Sequence, residues 1–287
     1  MDTSDFQSYR SLLQGIAYRM LGSVSEAEDI VQETYIKFSK QNKDEINNLR
    51  SWLVTVCSRL SLDRLKSAQR QRETYVGPWL PEPWLTTEES PADHAQIDDS
   101  ISTALLYTLE RLSPGERAAF LLHDVFGYSF DEISKILEKS PQACRKLASR
   151  ARTQAKEEKP RFETNPSTHQ KLIQSFLAAI KEGNLATLEE ILATDVTLVS
   201  DGGGKAFAAR KILHGIPTIG KFFITTSRQA AQSENTYEYR PTWYNGSPGL
   251  LIYENDIPVS AINLLVSENQ IHGFYIHRNP DKLARFR

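Results

Sequence analysis

Four side chains in the last third of the chain could do acid–base chemistry: Asp195, Asp201, His214 and His272. Carboxylates and imidazoles can move protons on small carbon skeletons when a pocket brings them together. Their spacing does not require this, because the six histidines are dispersed and no two have the helical spacing of metal ligands. Catalysis therefore remains a minor alternative, and no metal or cofactor is predicted.

A glycine-rich run, SDGGGK, extends from Ser200 to Lys205 and invites a phosphate-loop interpretation, since glycines expose backbone donors. The nucleotide-binding pattern requires a glycine five residues before its second glycine and a Ser or Thr after the lysine. Val199 and Ala206 occupy those positions. The run is predicted to be a tight turn between β elements.

The segment YSFDEISKILEKSPQACRKLASRAR, residues 128–152, is predicted to be a helix-turn-helix. An apolar stripe from Phe130 to Leu137 is followed by a polar interruption, and Pro141 suits the first turn of a second helix. One face of that helix is predicted to pack through Ala143, Leu147, Ala151 and Ala155. The opposite face suits DNA bases and phosphates; it consists of Gln142, Arg145, Lys146, Ser149, Arg150, Arg152 and Lys156.

Charge is sharply divided along the 287 residues, although the formal net charge is only −2. Residues 51–75 and 141–161 are basic, whereas residues 76–103 contain six acids, four prolines and no Lys or Arg. Prolines exclude a continuous helix there, so this stretch is predicted to be a linker. Its two tryptophans, Trp79 and Trp84, are unusual in a spacer and indicate that part of it docks on a domain.

The length suggests two or three domains, and no apolar run is long enough to span a membrane. The acidic N-terminus differs from a secretory signal, so a cytoplasmic protein is expected. Cys57 and Cys144 lie on apolar helical faces and are predicted to be buried thiols.

Helical periodicity covers most of the first 160 residues, with runs at 12–20, 30–38, from about 49, 105–112 and 117–126. After about residue 159, two helical runs at 172–180 and 185–192 are followed by short β-rich runs. Those runs are DVTLVS, TYEYRPTWY, GLLIYE, VSAINLLV and IHGFYIH. The predicted fold is multidomain, with two all-α modules followed by an α+β domain.

Three runs taken together resemble sigma factors of the extracytoplasmic-function type: AEDIVQETYIKF, NLRSWLVTVCSRLSLDRLK and the helix-turn-helix. They correspond to the core-binding helix and promoter-melting helix of region 2 and to region 4, and the resemblance covers residues 6–160. YVGPWLPEP, SDGGGK and NPDKL look like the marks of a subgroup with a SnoaL-like C-terminal extension. That extension implies an α+β cone with a curved mixed or antiparallel sheet.

The resemblance implies four parts: region 2 at 1–75, the linker at 76–103, region 4 at 104–160 and the regulatory domain at 161–287. Region 2 would dock on the β′ clamp of core RNA polymerase through Glu26, Asp29, Gln32 and Glu33. It would contact the minus-ten element through Trp52, Arg59, Arg64, Lys66 and Arg70. Region 4 would meet the β flap and read the minus-thirty-five element as duplex.

Regulation would lie in cis, with no separate anti-sigma protein, in a chain that acts as a monomer. The implied interdomain residues are Trp79, Pro81, Glu82, Asp201, Gly202, Gly203, Gly204, Lys205, Asn279, Pro280, Asp281, Lys282 and Leu283. A small-molecule ligand in the C-terminal domain is a further expectation, since a ligand regulates by discriminating between two states.

The helix-turn-helix departs from the common pattern at two positions. Ser134 stands where many such motifs have Ala, and Glu138 where many have Gly, so a turn without positive φ is predicted at Glu138. Two other functions stay open. An autonomous repressor or activator would bind operator DNA as a symmetric dimer, and an enzyme with a DNA-binding appendage would turn over a substrate.

Overall fold

The computed structural model describes residues 3–85, 102–157 and 166–286, which fall into two compact units. The helical unit combines Met1–Thr74 with Leu105–Glu158, and the sheet unit combines Tyr75–Ala104 with Lys159–Arg287. The described residues of the predicted linker, 76–85 and 102–103, therefore belong to the sheet unit. No helix among the described residues has the length and apolar character needed to cross a membrane.

The helical unit begins with α1 (Thr3–Gln7), α2 (Arg10–Leu21), α3 (Val24–Lys40) and α4 (Leu49–Arg72). It continues with α5 (Thr103–Leu109), α6 (Pro114–Phe120), a π-helical turn (Leu121–Val125), α7 (Phe130–Leu137) and α8 (Pro141–Glu157). Serine side chains cap the N-termini of four of these helices, at Ser23, Ser113, Ser129 and Ser140. The helical periodicity of the sequence is confirmed.

The buried face of α8 differs by one residue from the predicted one. Cys144, Ala148, Ala151 and Ala155 are buried, whereas Ala143 and Leu147 are only half-buried. The predicted face is shifted by one residue at its first two positions, where Cys144 and Ala148 are buried in place of Ala143 and Leu147. Cys57 and Cys144 are both buried free thiols, as predicted.

Glu138 has a φ of 54° and ends α7 in the left-handed region, so the expectation of a turn without positive φ was wrong. The Glu138 N–H still bonds to the carbonyl of Ser134, which closes the helix end as a glycine would. Because glutamate has a Cβ atom, the left-handed conformation strains the backbone at Glu138.

Glycine at position 138 is expected to raise the free energy of unfolding by about 0.5–1 kcal/mol, because glycine adopts positive φ without a Cβ clash. The substitution also removes the ion pair between Glu138 and Arg59, whose nitrogen and oxygen lie 3.2 Å apart; this pair contributes little because both side chains are exposed. Urea denaturation of the Glu138→Gly and Glu138→Ala variants measures it. The alanine variant loses the same ion pair and keeps the strain, so equal stability of the two variants would contradict the interpretation.

The sheet unit begins with α9 (Pro166–Glu182), α10 (Leu185–Ile191), β1 (Leu192–Asp201), β2 (Leu213–His214) and α11 (Ile216–Gln232). It then adds β3 (Tyr237–Tyr244), β4 (Ser247–Glu254), β5 (Ile257–Ser267), β6 (Gln270–His277) and α12 (Pro280–Leu283). The strand order is β2-β1-β6-β5-β4-β3, and β1 and β6 are parallel in an otherwise antiparallel sheet. This mixed sheet confirms the predicted α+β fold.

The two faces of the sheet carry separate apolar clusters. On one face α9 and α11 pack against the strands, with Phe176, Phe223 and Phe274 at the centre of the cluster. On the other face Tyr244 and Tyr253 pack with Phe286, which follows α12. Alternate residues of β4 therefore point to different clusters, Leu250 and Ile252 to the first and Leu251 and Tyr253 to the second.

Candidate functional sites

Asp201, at the end of β1, is fully buried and holds the segment that begins at Tyr75. Its carboxylate accepts hydrogen bonds from the Tyr75 hydroxyl (2.6 Å) and the Leu80 backbone N–H (2.8 Å). Burial and the hydrogen bond to Asp201 raise the pKa of Tyr75 well above its usual value, so Tyr75 stays a donor. We call this group of contacts between residues 75–85 and the rest of the sheet unit the segment clamp.

Lys282, in α12, supplies the positive charge of the segment clamp. Its Nζ lies 2.7 Å from the second carboxylate oxygen of Asp201 and also donates to the carbonyl of Leu80. The same ammonium group lies 4.1 Å from the centre of the Trp79 ring, a cation–π contact. The buried carboxylate of Asp201 and the nearly buried ammonium group of Lys282 thus neutralise each other where the segment contacts the sheet unit.

Asn279 and Gly203 complete the cradle around Tyr75. Asn279 donates from Nδ2 to the Tyr75 oxygen at 2.9 Å. Gly203 has a φ of 58°, and a Cβ atom there would collide with Asn279 and with the Tyr75 hydroxyl. The SDGGGK turn is therefore close-packed against the segment, as a turn without side chains permits.

The remaining predicted residues of the SDGGGK and NPDKL runs lie in the same region. A Cβ atom on Gly202 would collide with the Ala206 carbonyl, and one on Gly204 would crowd Val76. Lys205 and Asp281 form an exposed ion pair. Pro280 opens α12, and Leu283 is buried in the cluster with Phe286.

Residues 81–85 continue along the sheet unit. The Pro81 carbonyl accepts a hydrogen bond from Nε2 of buried His277 at 2.8 Å, and Glu82 lies 3.3 Å from Arg285. Burial lowers the pKa of His277 to about 4, so its ring is neutral near pH 7.

The backbone of Trp84 forms two hydrogen bonds with Asn245. Its N–H donates to the Asn245 side chain at 2.7 Å, and its carbonyl accepts from the Asn245 N–H at 2.9 Å. At the last residue of the predicted linker, the Thr103 hydroxyl forms hydrogen bonds with the side chains of Asn263 and Asn245. Both linker tryptophans thus lie against the sheet unit.

The predicted polymerase-binding acids lie on one face of α3, and a cation of the same unit already contacts them. Asp29 and Gln32 are exposed, whereas Glu26 and Glu33 are half-buried. Arg64 of α4 pairs with Glu33 at 3.1 Å and approaches Glu26 at 3.9 Å. The sequence placed Arg64 on promoter DNA, but here it neutralises two of these acids.

The other predicted minus-ten residues are also on α4. Arg59 donates to the carbonyls of Lys135 and Ile136 at the end of α7, and Lys66 pairs with Asp63. Trp52 packs against Phe38, with ring centres 6.2 Å apart. The side chain of Arg70 lies outside the described part of the structure.

The exposed face of α8 carries the predicted minus-thirty-five residues. The side chains at its surface are Gln142, Arg145, Lys146, Ser149 and Arg150. Arg145 lies over the Phe130 ring at 5.3 Å, and half-buried Arg152 pairs with Asp124 at 2.7 Å. This face offers cations and hydrogen-bond donors to a polyanion, with Arg152 held by a neighbouring carboxylate.

The four candidate acid–base residues do not form a common site. Asp201 is engaged in the segment clamp and His214 is exposed on β2. His272 lies 3.7 Å from Asp195, an exposed carboxylate, and neither residue lines the two described cavities of the sheet unit. The geometry gives the alternative of an enzyme no support.

Four participants in the segment clamp were missed from sequence: Tyr75, His277, Asn245 and Arg285. Tyr75 is the first residue of the YVGPWLPEP run, and a tyrosine beside a proline-rich segment was the available signal. No local sequence signal marks His277 and Asn245, because their partners lie more than 150 residues away in the chain.

The helical unit matches the family models of RNA polymerase sigma factors. The Sigma-70 region 2 model matches residues 6–71, and the Sigma-70 region 4 model matches residues 102–154. The class of protein defined by this fold is therefore the sigma factor, which directs RNA polymerase to promoters.

Relatives that match nearly the whole length of the chain show which family of sigma factors it belongs to. The chain is 38% identical to ECF RNA polymerase sigma factor SigJ of Mycobacterium tuberculosis, covering 99% of this chain and 94% of that protein. It is 30% identical to probable ECF RNA polymerase sigma factor SigI of the same species, over 98% and 94%. The crystal structure of the M. tuberculosis SigJ protein superimposes with a TM-score of 0.79 at 31% identity, covering 99% and 98% of the two chains. The chain belongs to the extracytoplasmic-function family of RNA polymerase sigma factors.

Proposed function

We propose that this sigma factor is restrained in cis: the segment clamp of the sheet unit holds residues 75–85 and keeps the promoter- and polymerase-binding surfaces in an inactive arrangement. The observation that carries the proposal is the convergence of Tyr75, Leu80 and Lys282 on the buried Asp201 carboxylate. Release of the segment would break its hydrogen bonds to Asp201 and Lys282, and each of these bonds contributes to holding residues 75–85 on the sheet unit.

Polymerase binding is proposed for the face of α3 that carries Glu26, Asp29, Gln32 and Glu33. Arg64 neutralises part of this face, so a basic partner such as the β′ clamp would replace Arg64 at Glu33. That exchange frees the Arg64 guanidinium for DNA phosphates. Arg59, Lys66 and Trp52 would then act with it at the minus-ten element, and region 4 would meet the β flap.

Promoter reading is proposed for α8, whose Gln142, Arg145, Lys146, Ser149 and Arg150 side chains are exposed together. A helix-turn-helix presents such a face to the major groove. The protein would act in the cytoplasm with core polymerase, as a monomer and without a separate anti-sigma protein. Catalysis and cofactors have no part in this mechanism.

Alanine at Arg150 is expected to weaken promoter binding by the holoenzyme several-fold and to reduce the salt slope of binding by about one, as loss of one phosphate contact does. Alanine at Arg152 is the matched control. Its guanidinium is already paired with Asp124, so its loss should have the smaller effect. Titrations of promoter duplex at several salt concentrations measure both variants, and equal losses would contradict this assignment.

Run-off transcription with purified core polymerase, on the promoter of the protein's own operon, tests the proposed function. Transcripts should depend on the protein, and the Asp201→Asn variant should give several-fold more transcript than the native chain. An unchanged or smaller yield from the variant would overturn restraint by the segment clamp. Duplex binding without polymerase, together with no transcript from either protein, would instead indicate an autonomous repressor or activator.

A further inference from the structure

A cavity of about 220 Å³ lies between α9, α11 and the sheet. Aromatic side chains dominate its wall, notably Phe176, Phe222, Phe223 and Tyr239. Ligand sites are characteristically concave, apolar and equipped with a few polar groups that fix orientation. This cavity has that character, and the proposed function of the chain makes no use of it.

The volume limits the ligand to a small molecule. An engineered cavity of about 150 Å³ with apolar walls takes up benzene, whereas drug-sized ligands need about 300 Å³ or more. A cavity of about 220 Å³ therefore suits one aromatic ring with a short substituent, or a short aliphatic chain.

Arg278 gives the cavity a positive charge. Its Nε donates to the Val259 carbonyl at 3.4 Å, and no carboxylate among the described residues pairs with it. The nearby Glu254 carboxylate already accepts hydrogen bonds from Tyr237 and Asn235. Burial lowers the pKa of Arg278, and the nearby Glu254 carboxylate offsets part of this effect. A carboxylate would give such a guanidinium a two-point partner.

We propose that this cavity binds a small apolar carboxylate, with its ring or chain among Phe176 and Phe223 and its carboxylate on Arg278. The regulatory consequence of this binding rests on the proposed function, because it acts through the segment clamp. The binding site itself does not depend on that function.

Two features connect the cavity with the segment clamp. Along β6 and beyond it, Ile276 and Arg278 line the cavity, whereas His277 and Asn279 contact Pro81 and Tyr75 of the segment. A ligand that repositions Arg278 would therefore shift the adjacent backbone of His277 and Asn279, whose side chains contact the segment.

Phe207 is the second connection. Its side chain is 78% exposed, yet it lines the ligand cavity and also a neighbouring cavity whose wall includes Val76 and Gly77. A ligand under the Phe207 ring gives that ring apolar surface to cover and so changes the cavity wall that Phe207 shares with Val76 and Gly77. Occupancy should therefore loosen the hold on residues 75–80.

Isothermal titration of the full chain with phenylacetate tests the site, with phenylacetamide as the neutral probe of the same shape. Phenylacetate should bind at least tenfold more tightly than the amide. The Arg278→Gln variant should lose this difference, while Arg240→Gln, which removes an exposed arginine paired with Glu238, should keep it. Absence of phenylacetate binding to the native chain, or equal binding of the acid and the amide, would overturn the proposal.

Hydrogen exchange of residues 75–80 with and without phenylacetate tests the connection. Protection should fall at least severalfold on binding in the native chain and stay unchanged in a Phe207→Ala variant. Binding without any change in protection would refute the connection and leave the site standing. Failure of restraint by the segment clamp would appear separately, as an Asp201→Asn variant that transcribes no more than the native chain.

Discussion

Replacing Asp201 by Asn is expected to lower the free energy of unfolding of the sheet unit by about 3–5 kcal/mol, the cost of breaking a buried ion pair from one side. The two carboxylate oxygens accept from the Tyr75 hydroxyl, the Leu80 N–H and the Lys282 ammonium group. Asparagine offers a single acceptor oxygen, and its NH₂ group would face one of these donors. Lys282 would then remain nearly buried without its counterion.

Guanidinium denaturation followed by tryptophan fluorescence measures the loss, because Trp79 lies against Lys282. Asp281→Asn is the matched control, since it makes the same chemical change at an exposed ion pair with Lys205. The control should change stability by less than about 1 kcal/mol. Similar losses in both variants would show that Asp201 contributes only as a surface charge does.

Replacing Glu110 by Gln is expected to destabilise the helical unit by about 3–5 kcal/mol. Glu110 is shared by two arginines, Arg72 of α4 and Arg117 of α6, and its side chain is only 13% exposed. The Arg117 side chain is completely buried and also donates to the carbonyl of Arg19 at 3.0 Å. A neutral amide would leave two cations close together without the charge that holds them.

The contact between α4 and α6 depends on this cluster, so the Glu110→Gln variant should also lose helical signal at a lower denaturant concentration. Circular dichroism during urea denaturation measures it. Glu138→Gln is the control, because Glu138 also pairs with an arginine of α4 but is 76% exposed. A Glu110→Gln variant as stable as this control would show that the buried cluster contributes little.

The helices and strands that have a periodic pattern of apolar residues could be predicted from the sequence. The helices of both sigma regions and five strands of the sheet have apolar spacing that local sequence displays. Helix α11 was missed because Ile, Thr and Phe dominate its first half and Gly220 interrupts it. Packing explains that glycine, since a Cβ atom at position 220 would collide with Leu185.

The partners of charged side chains could not be predicted in the same way. The resemblance assigned Arg59 and Arg64 to promoter DNA, whereas in the structure their ion pairs and hydrogen bonds are with residues 31 to 79 positions away. Pairings at such distances leave no periodic mark in a single sequence. Glu138 shows a second limit of prediction from sequence. Its residue type disfavours a left-handed backbone conformation, yet Glu138 adopts that conformation and donates a hydrogen bond to the Ser134 carbonyl.

The order of the segment clamp along the chain has a consequence for protein synthesis. Both parts of the helical unit are complete by residue 158, whereas Asp201 comes later in the chain and Lys282 later still. A ribosome that adds roughly 5–20 residues per second needs on the order of ten seconds to cover that distance. Each new copy therefore passes through an interval in which its sigma regions exist and the Asp201–Lys282 pair cannot yet have formed.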